Sequence, residues 1–482
     1  MKALSSNKWI VFGALIFIAF NFYFTLQNDW WFGLIPFALI LIYITVFKMD
    51  WALMMVAFLA PLSFNIEEFT DGKFGLFVPT EPILILLLLL IIYTQLRKSY
   101  LPKELIKNPI VWAIIFYLFW ILMTSITSVL PTVSFKYLLM RLWFFVPLVF
   151  FGAYVFLDKK KISIFMWLYI IAMCIVIIYT TINHSLYGFG EKESHWVMFP
   201  FFKDHTSYGA MCAFIIPLII GFYFSKKQTP LMQVVFVIVF AIAMTGLFFS
   251  YTRAAWLSIA VAIVVGLIIK LKIRFRYLAI IGAIAGVFIL INWTEINHSL
   301  DKNKSEHTTE NFEKRIQSAA NITTDASNLE RINRWSCAWA MFLDKPIVGF
   351  GPGTYAFEYA PFQLPENKTI ISTNFGNLGN AHSEYLGPLA EMGLLGMISF
   401  TLIVVAIFYK AVTLYIRYPQ GEERTWIFAF ILALSTYFVH GFLNDFLDTD
   451  KVAVPVWGIV AALIALEINL DRSNKIKASN DI

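Results

Sequence analysis

Segments of about 20 consecutive apolar residues recur along this chain, and they constrain its fold more than any other feature. A helix of that length crosses the hydrocarbon core of a membrane, and about 14 such spans are predicted. They lie at 9–27, 30–47, 51–66, 80–96, 110–130, 137–157, 162–183, 206–224, 231–249, 254–270, 275–293, 388–409, 425–443 and 452–468. Because 59% of the residues are hydrophobic and only 14% are charged, a soluble globular fold is excluded. The sequence predicts an all-α polytopic membrane protein with about 12–14 transmembrane helices.

The distribution of lysine and arginine orients the predicted helices. Basic residues are concentrated in alternate connections, for example at 97–107 and 159–161, whereas the intervening connections at 67–71 and 445–450 are acidic. Cytoplasmic loops carry an excess of lysine and arginine. The chain is therefore predicted to start in the cytoplasm and to expose its long polar segment, 294–387, on the outer face. The net charge of +6 follows from these orienting residues and does not indicate nucleic acid.

Four regions are predicted along the chain. Residues 1–293 form an N-terminal transmembrane bundle of about 11 helices. Residues 294–387 form one large extracytoplasmic loop domain, residues 388–470 form the C-terminal transmembrane helices, and residues 471–482 form a cytoplasmic tail.

The loop domain has local structure of its own. Residues 309–320 are predicted to form a short charged helix. Ser327 and Glu330 form a capping box, which predicts a second helix that ends before Pro346. Its apolar residues recur at helical spacing, so this helix is expected to lie against the top of the bundle or the lipid interface. These residues are Ile332, Trp335, Trp339 and Phe342.

A glycine-rich run, Gly349–Gly353, follows this helix. Its composition is similar to that of a phosphate-binding loop, but no strand precedes it and it lacks the Lys-Ser/Thr ending of such loops. A tight turn is the preferred interpretation.

Arg253 is the most informative single residue. It lies in a very short connection between two apolar spans, at the predicted outer edge of the membrane, where a guanidinium is costly to desolvate. One interpretation is an arginine whose side chain extends to the lipid headgroups. The other is a fixed cation that pairs with a diphosphate, for which the forked guanidinium is well shaped. The shortness of the turn slightly favours the second interpretation.

His382 lies at the end of the loop domain, directly before an apolar span. It is either an interfacial histidine that is hydrogen-bonded to the backbone, or a general base whose near-neutral pKa suits proton removal from an alcohol. The remaining histidines are all predicted on the same outer side, so residue type alone does not decide between these roles.

Two pairs of residues could act as metal ligands, namely Asp204 with His205 and His440 with Asp445. Their spacing matches no compact metal-binding motif. No metal site and no cofactor are therefore predicted.

Arg331 and Arg334 lie three residues apart on the predicted loop helix, roughly on one face. They are either a second phosphate contact or solvated surface arginines. Glu384 and Tyr385 adjoin His382 and could support the same site, whereas Glu391 is expected to be a structural partner for a basic group.

Three blocks of the chain resemble the O-antigen ligase and O-antigen polymerase superfamily of bacterial membrane glycosyltransferases. Residues 250–256 resemble the signature S-x-T-R-[GA]-A-W. A second pattern, R-x3-W … P-x2-G-x-G-x-G … Y, is similar to Arg331, Trp335, Pro346, Gly349, Gly351, Gly353 and Tyr359. Residues 382–396 resemble H-N-x-[YF]-L … A-E-x-G-[LI]-x-G, with Ser383 where relatives often have Asn. The three blocks occur in the order found in that family.

The resemblance implies a GT-C-like fold and a metal-independent, inverting glycosyltransferase in the bacterial inner membrane, with its active site facing the periplasm. The implied donor is a glycan on undecaprenyl diphosphate, and the implied acceptor is a hydroxyl group, that of lipid A-core in a ligase of lipopolysaccharide biosynthesis. The family's essential arginine and histidine correspond to Arg253 and His382. A loop arginine corresponds to Arg331 or Arg334, and Asp204-His205 lies where relatives carry a short polar motif before a helix.

Several alternatives remain open at this stage. Within the enzyme class, a polymerase that joins lipid-linked repeats or a protein O-oligosaccharyltransferase would share the same chemistry. Outside it, a polysaccharide transporter would place ionisable residues near the middle of the membrane, whereas the span 231–249 contains none. A scaffold of an assembly complex would need neither Arg253 nor His382. Ligase is favoured because the arginine and histidine blocks match that pattern closely.

Overall fold

The computed structural model describes residues 2–28, 31–69, 75–273, 276, 291–292, 326–364 and 379–480. In chain order, its α-helices are α1 (Lys2–Leu26), α2 (Ile35–Phe47), α3 (Met49–Leu59), α4 (Thr80–Arg97), α5 (Pro109–Ile126), α6 (Pro131–Phe144), α7 (Gly152–Val155), α8 (Lys159–Ser185), α9 (His205–Ser225), α10 (Pro230–Phe249), α11 (Arg253–Lys270), α12 (Ala326–Asp344), α13 (Tyr355–Glu358), α14 (Leu386–Arg417), α15 (Glu422–His440) and α16 (Asp450–Asn480). A π-helical segment, Phe145–Phe151, joins α6 to α7. Strands β1 (Phe64–Asn65) and β2 (Phe77–Val78) pair antiparallel, with Phe64 opposite Val78.

Nine helical spans within these ranges are long and apolar enough to cross a membrane. They are α4, α5, α6 with α7, α8, α9, α10, α11, α14 and α16. The prediction of an all-α polytopic membrane protein is confirmed. Every predicted span except 275–293 coincides with a helix. That span lies mostly outside the described residues, as does the predicted charged helix at 309–320.

The third predicted span, 51–66, is too long. Helix α3 ends at Leu59, shortly before Pro61, which has no backbone N–H to continue the helix. The chain then turns into β1, which pairs with β2 just before α4 begins.

Helix α16 lies at the centre of the bundle. In its apolar part 89% of the residues are buried, against 22% in each of α10 and α11, so α16 is surrounded by protein while those two helices lie at the periphery. Small residues let its neighbours approach closely. A Cβ atom on Gly458 would lie 2.4 Å from the ring of Phe165, and Trp457 packs edge-on against Phe145.

A buried polar cluster fixes the start of α16. The Lys451 Nζ atom donates to the carbonyl oxygen of Ser63 at 2.9 Å and to its hydroxyl at 2.6 Å. The Ser63 hydroxyl in turn donates to Asp450 Oδ2 at 2.6 Å, and Thr80 donates to the same carboxylate. These contacts join the beginning of α4 and the residue before β1 to α16.

Helix α12 of the loop domain ends at Asp344, before Pro346 as predicted, and packs against α14. Ser327 of the predicted capping box lies within α12, and its side chain is outside the described part of the chain. The buried face is formed by Asn333, Arg334, Cys337, Ala338 and Met341, whereas Trp339 is 53% exposed. Helix α12 therefore packs against the bundle as expected, but through this face and not mainly through the aromatic residues that suggested the contact.

The Gly349–Gly353 run is a tight turn that interlocks with a break in α14. Gly349 has φ +64°, and a Cβ atom there would lie 2.3 Å from the carbonyl carbon of Glu391. Gly393 has φ +66° and interrupts the helical geometry of α14; a Cβ atom there would lie 2.3 Å from the carbonyl oxygen of Ile347. Since only glycine adopts this conformation at such close approach, the tight-turn prediction is confirmed.

Candidate active site

A cavity of about 630 Å³ lies where α9, α12, the segment before α14 and the turn between α15 and α16 meet. Its lining brings together residues that are far apart in sequence. Of the residues singled out in the sequence analysis, it contains Asp204, His205, Arg331, His382, Glu384, Glu391 and Asp445.

The backbone of His382 is held in the left-handed region, with φ +50°, which is uncommon for a residue other than glycine. Its N–H donates to Asn380 Oδ1 at 3.0 Å, and its carbonyl oxygen accepts from Trp335 Nε1 at 3.4 Å. The Asn380 side chain also donates to the carbonyl oxygen of Asp445 at 3.1 Å. The main chain around His382 is therefore fixed on two sides, while its imidazole lines the cavity.

The charge state of His382 differs from the sequence expectation. Burial, with the guanidinium groups of Arg331 and Arg334, lowers the pKa of His382 to about 4, although Glu330 and Asp204 act in the opposite direction. The imidazole is consequently neutral at pH 7 and able to accept a proton, but it is a weaker base than a near-neutral pKa would give. An anion close to the two arginines would offset their effect and raise this pKa.

Arg331 lines the cavity, and its Nε atom donates to the carbonyl oxygen of Leu443 at 3.0 Å. Burial and the neighbouring Arg253 lower the pKa of Arg331 to about 10, while Asp204 opposes the shift. The guanidinium therefore stays protonated at neutral pH. Two cations that repel one another in this way are stabilised by an anion placed between them.

Arg334 has a different environment, although it lies only three residues further along α12. It is 6% exposed, its Nε atom donates to Glu330 Oε1 at 2.7 Å, and its guanidinium lies 4.0 Å from the centre of the Tyr359 ring. It is not among the residues that line the cavity. Of the two arginines weighed from the sequence, Arg331 is the one placed to contact a ligand, and Arg334 acts on His382 through its charge.

Arg253 is the first residue of α11. The preceding turn is tied to α9, because the Thr252 hydroxyl donates to the carbonyl oxygen of His205 at 2.7 Å. Arg253 interacts electrostatically with His205 and with Arg331. It is not among the residues that line the cavity, so Arg253 is joined to the site by its charge.

Asp204 caps the N-terminus of α9. Its Oδ1 atom accepts from the backbone N–H groups of Thr206 at 2.9 Å and Ser207 at 2.8 Å, which satisfies two of the free donors of the first turn. Asp204 therefore supports the site by fixing the start of the helix on which His205 lies.

Glu384 and Tyr385 anchor the His382 segment to the turn between α15 and α16. Glu384 Oε1 accepts from the Tyr437 hydroxyl and from the backbone N–H groups of Phe446 at 2.9 Å and Leu447 at 2.8 Å. The Tyr385 hydroxyl donates to the carbonyl oxygen of Phe438 at 3.2 Å. Both side chains therefore hold the segment next to His382 in place.

Ser383 and Glu391 also have structural partners. The Ser383 hydroxyl oxygen accepts from the backbone N–H groups of Tyr385 and Leu386, each at 3.3 Å, at the start of α14. Glu391 was expected to partner a basic group, and Arg141 does act on it electrostatically; its Oε1 atom also accepts from the backbone N–H of Tyr355 at 3.0 Å.

The structure adds residues that sequence reasoning missed. Arg141 of α6 is 5% exposed and lines the cavity; its guanidinium donates to the carbonyl oxygen of Leu447 at 2.8 Å and to the Tyr137 hydroxyl at 2.6 Å. Burial and neighbouring acidic groups raise the pKa values of Asp445 and Asp448, which line the same cavity. A charged residue inside a predicted span was the available signal for Arg141.

The two pairs considered as metal ligands do not form a metal site in the described part of the chain, where no group of three or more His, Cys, Asp or Glu side chains could hold an ion. His440 Nε2 instead lies 2.9 Å from Asn444 Nδ2.

Comparison with known protein families identifies one matching segment of the chain. Residues 238–401 match the family model described as O-Antigen ligase. The matched segment includes Arg253, Arg331 and His382, and all three motif blocks, so the resemblance to the O-antigen ligase and polymerase superfamily is confirmed over this segment. Members of this family are glycosyltransferase-like enzymes that act on lipid-linked glycans in a membrane. No curated protein matches the chain.

Proposed function

We propose that this protein is a glycosyltransferase of the O-antigen ligase type. It transfers a glycan from undecaprenyl diphosphate to a hydroxyl group of lipid A-core, at the periplasmic face of the bacterial inner membrane. One observation carries the proposal: within the family-matched segment, His382 and Arg331 line one cavity, with Arg253 in the same charged cluster. The positive-inside orientation supports the periplasmic face.

The two arginines act on the leaving group. As the bond between the anomeric carbon and the diphosphate oxygen breaks, its electron pair stays with the diphosphate, which gains one negative charge. Preorganised cations at that position stabilise the transition state, and loss of one such donor typically costs about 3 kcal/mol. Arg331 contacts the diphosphate from the cavity wall, and Arg253 adds to the positive electrostatic potential at the diphosphate.

His382 acts on the acceptor. Its neutral imidazole accepts the proton of the acceptor hydroxyl while the oxygen forms a bond to the anomeric carbon from the face opposite the leaving group, so configuration is inverted. A diphosphate beside Arg331 offsets part of the positive field that lowers the pKa of His382. The base is therefore stronger when the donor is bound than when the cavity is empty.

The test is a glycolipid gel on a deletion strain of the source organism, complemented with wild type, Arg253→Ala or His382→Ala. Both variants are expected to be expressed and folded but unable to restore the long ladder. Arg417→Ala is the matched control. Arg417 is the last residue of α14, at the end away from His382, and it pairs with Asp471 at 2.6 Å and with Glu467 at 3.7 Å. Its side chain is 38% exposed, and exposed pairs contribute little to stability. Normal ladders with both site variants would contradict the catalytic assignment and favour a scaffold.

The same gel distinguishes the reactions that the family match leaves open. Loss of the ladder, with finished polymer retained on its undecaprenyl carrier, identifies a ligase. A core capped by a single repeat identifies a polymerase, the second candidate, because the family match covers both reactions. An unchanged ladder in the deletion strain contradicts both and directs the search to a protein or an exported polysaccharide as acceptor.

A further inference from the structure

Two histidines, His195 and His205, contact one another in the wall of the cavity. Their ring centroids are 4.0 Å apart and their planes are inclined by 56°. His195 ends the short 3-10 helix Glu193–His195 and is exposed, whereas His205 is the first residue of α9 and is partly buried. Both rings line the cavity together with Arg331 and His382, and the mechanism above uses neither of them.

The main chain on both sides of this pair is fixed. The carbonyl oxygen of His205 accepts from the Thr252 hydroxyl at 2.7 Å, and Asp204 caps the helix that His205 begins. Next to His195, the buried Ser194 hydroxyl donates to the carbonyl oxygen of Glu191 at 2.6 Å. The contact between the rings therefore follows from the fold of both segments.

One ring nitrogen of the pair has no partner among the described residues. The Nδ1 atom of His205 is buried and makes no hydrogen bond among the residues that the structure describes. A buried polar atom that lacks a partner is costly, and such atoms are rare in folded proteins unless a ligand, an ion or water satisfies them. The nitrogen itself is not exposed to the cavity, but the residue that carries it lines the cavity, so a shift of the ring would present this nitrogen to a ligand with hydrogen-bonding oxygens.

The groups that act electrostatically on His205 are mainly positive, although Glu384, Glu391, Asp445 and Asp448 also line the cavity. Arg331 of α12, Arg253 of α11 and the second histidine all act electrostatically on His205, and Asp204 acts in the opposite sense. Lys203 and His382 line the same cavity, and Glu330, which also lines it, is paired with Arg334. A proton added to the pair in the empty cavity would therefore place another cation beside the arginines, whereas a bound polyanion reverses that balance.

We propose that His195 and His205 contact the diphosphate of the donor, and that this pair takes up a proton from solvent when the donor binds. The inference rests on the proposed function and adds two substrate-contacting residues to it. Transfer of the glycan leaves the diphosphate with one more negative charge, while the acceptor proton goes to His382. The protonated histidine pair offsets that additional charge without taking part in bond breaking.

The experiment is calorimetry of farnesyl diphosphate binding to the purified full-length protein in detergent. Binding is measured between pH 6 and 8 in buffers of different ionisation enthalpy, for wild type, His195→Gln, His205→Gln and the double variant. Wild type is expected to take up more protons than the double variant, with each single variant between them. Uptake of one additional proton makes binding up to about tenfold tighter for each unit by which the pH is lowered. The titration of the probe itself is common to all four proteins.

His382→Gln is the matched control, because it removes a neighbouring imidazole from the same cavity. Retained proton uptake in His382→Gln supports the proposal. If uptake is lost in His382→Gln but unchanged in the double variant, the proton belongs to His382 and the proposal is overturned. Equal uptake by wild type and the double variant also overturns it while leaving the proposed function intact. Failure of wild type to bind the probe at any of these pH values would count against the diphosphate donor itself. If the double variant does not fold, the two single variants decide by the same comparison.

Discussion

Two groups of ionisable residues lie in or beside the same cavity, and the structure holds them in different ways. In the basic cluster (Arg253, Arg331, His205 and His382), the main chain of both histidines is fixed by hydrogen bonds while their rings face the cavity. In the acidic cluster (Glu384, Asp445 and Asp448), the carboxylate of Glu384 itself accepts three hydrogen bonds. Fixing the main chain leaves a side chain available to a ligand, whereas fixing the side chain makes it part of the structure. The basic cluster is therefore expected to control activity, and the acidic cluster to control stability.

Among the substitutions that compare the two clusters, Arg331→Ala is expected to have the largest effect. Removal of the guanidinium that lines the cavity should reduce the rate of glycan transfer about 100-fold, or about 3 kcal/mol, because the charge on the departing diphosphate loses a preorganised partner. Arg331→Lys should recover part of this loss, since it restores the charge without the forked geometry. The measurement is the transfer rate at matched protein levels, and half or more of the wild-type rate in Arg331→Ala would contradict the division between the two clusters.

Glu384→Ala should affect the stability of the protein more than the rate of glycan transfer. The substitution leaves the Tyr437 hydroxyl and two backbone N–H groups in the turn after α15 without their acceptor, which we expect to cost about 2 kcal/mol in the free energy of unfolding. Glu384→Gln retains one oxygen acceptor and should lose less. Thermal unfolding in detergent measures both variants. A Glu384→Ala protein that melts like wild type but has no activity would move this residue into the catalytic group.

The pH dependence of activity tests the environment of His382. A general base must be deprotonated to act, and the pKa of His382 is lowered from 6.5 to about 4. The acid limb of kcat/KM, which reports the free enzyme, should therefore lie near pH 4 and not near 6.5. In Arg334→Gln the limb should move towards higher pH, since a cation is removed and Glu330 loses its partner. An acid limb at pH 6.5 in wild type would show that another group is the base.

Asp445→Asn should have the smallest effect, within about twofold in transfer rate. Burial, together with Glu384 and Asp448, raises the pKa of Asp445 well above its usual value, which favours the uncharged carboxyl, and an amide of similar shape replaces it. Transfer assays of Asp445→Asn beside Arg331→Ala provide the direct comparison. A loss as large as that of Arg331→Ala would mean that the acidic cluster also acts on substrate.

The sequence predicted the parts of this protein that depend on local pattern. Apolar length predicted the helices, and the proline and glycine positions predicted the end of α12 and the turn at Gly349–Gly353. It could not distinguish Arg331 from Arg334, because equal helical spacing does not show which side chain meets Glu330. Nor could it join Arg141 to Asp445, which lie on opposite sides of the chain's long loop. The low pKa of His382 likewise results from burial and from arginines on another segment.

The central position of α16 has a consequence for how the protein is made. This helix leaves the ribosome after every other helix described, yet it is the most buried of the membrane spans. The earlier helices are therefore expected to enter the bilayer before the helix around which they pack is present. The turn that carries Asp445 and Asp448 closes the cavity at the same late stage. Chains that stop before residue 445 should therefore reach the membrane without any assembled site, so premature termination late in translation yields an inert protein and not a partly active one.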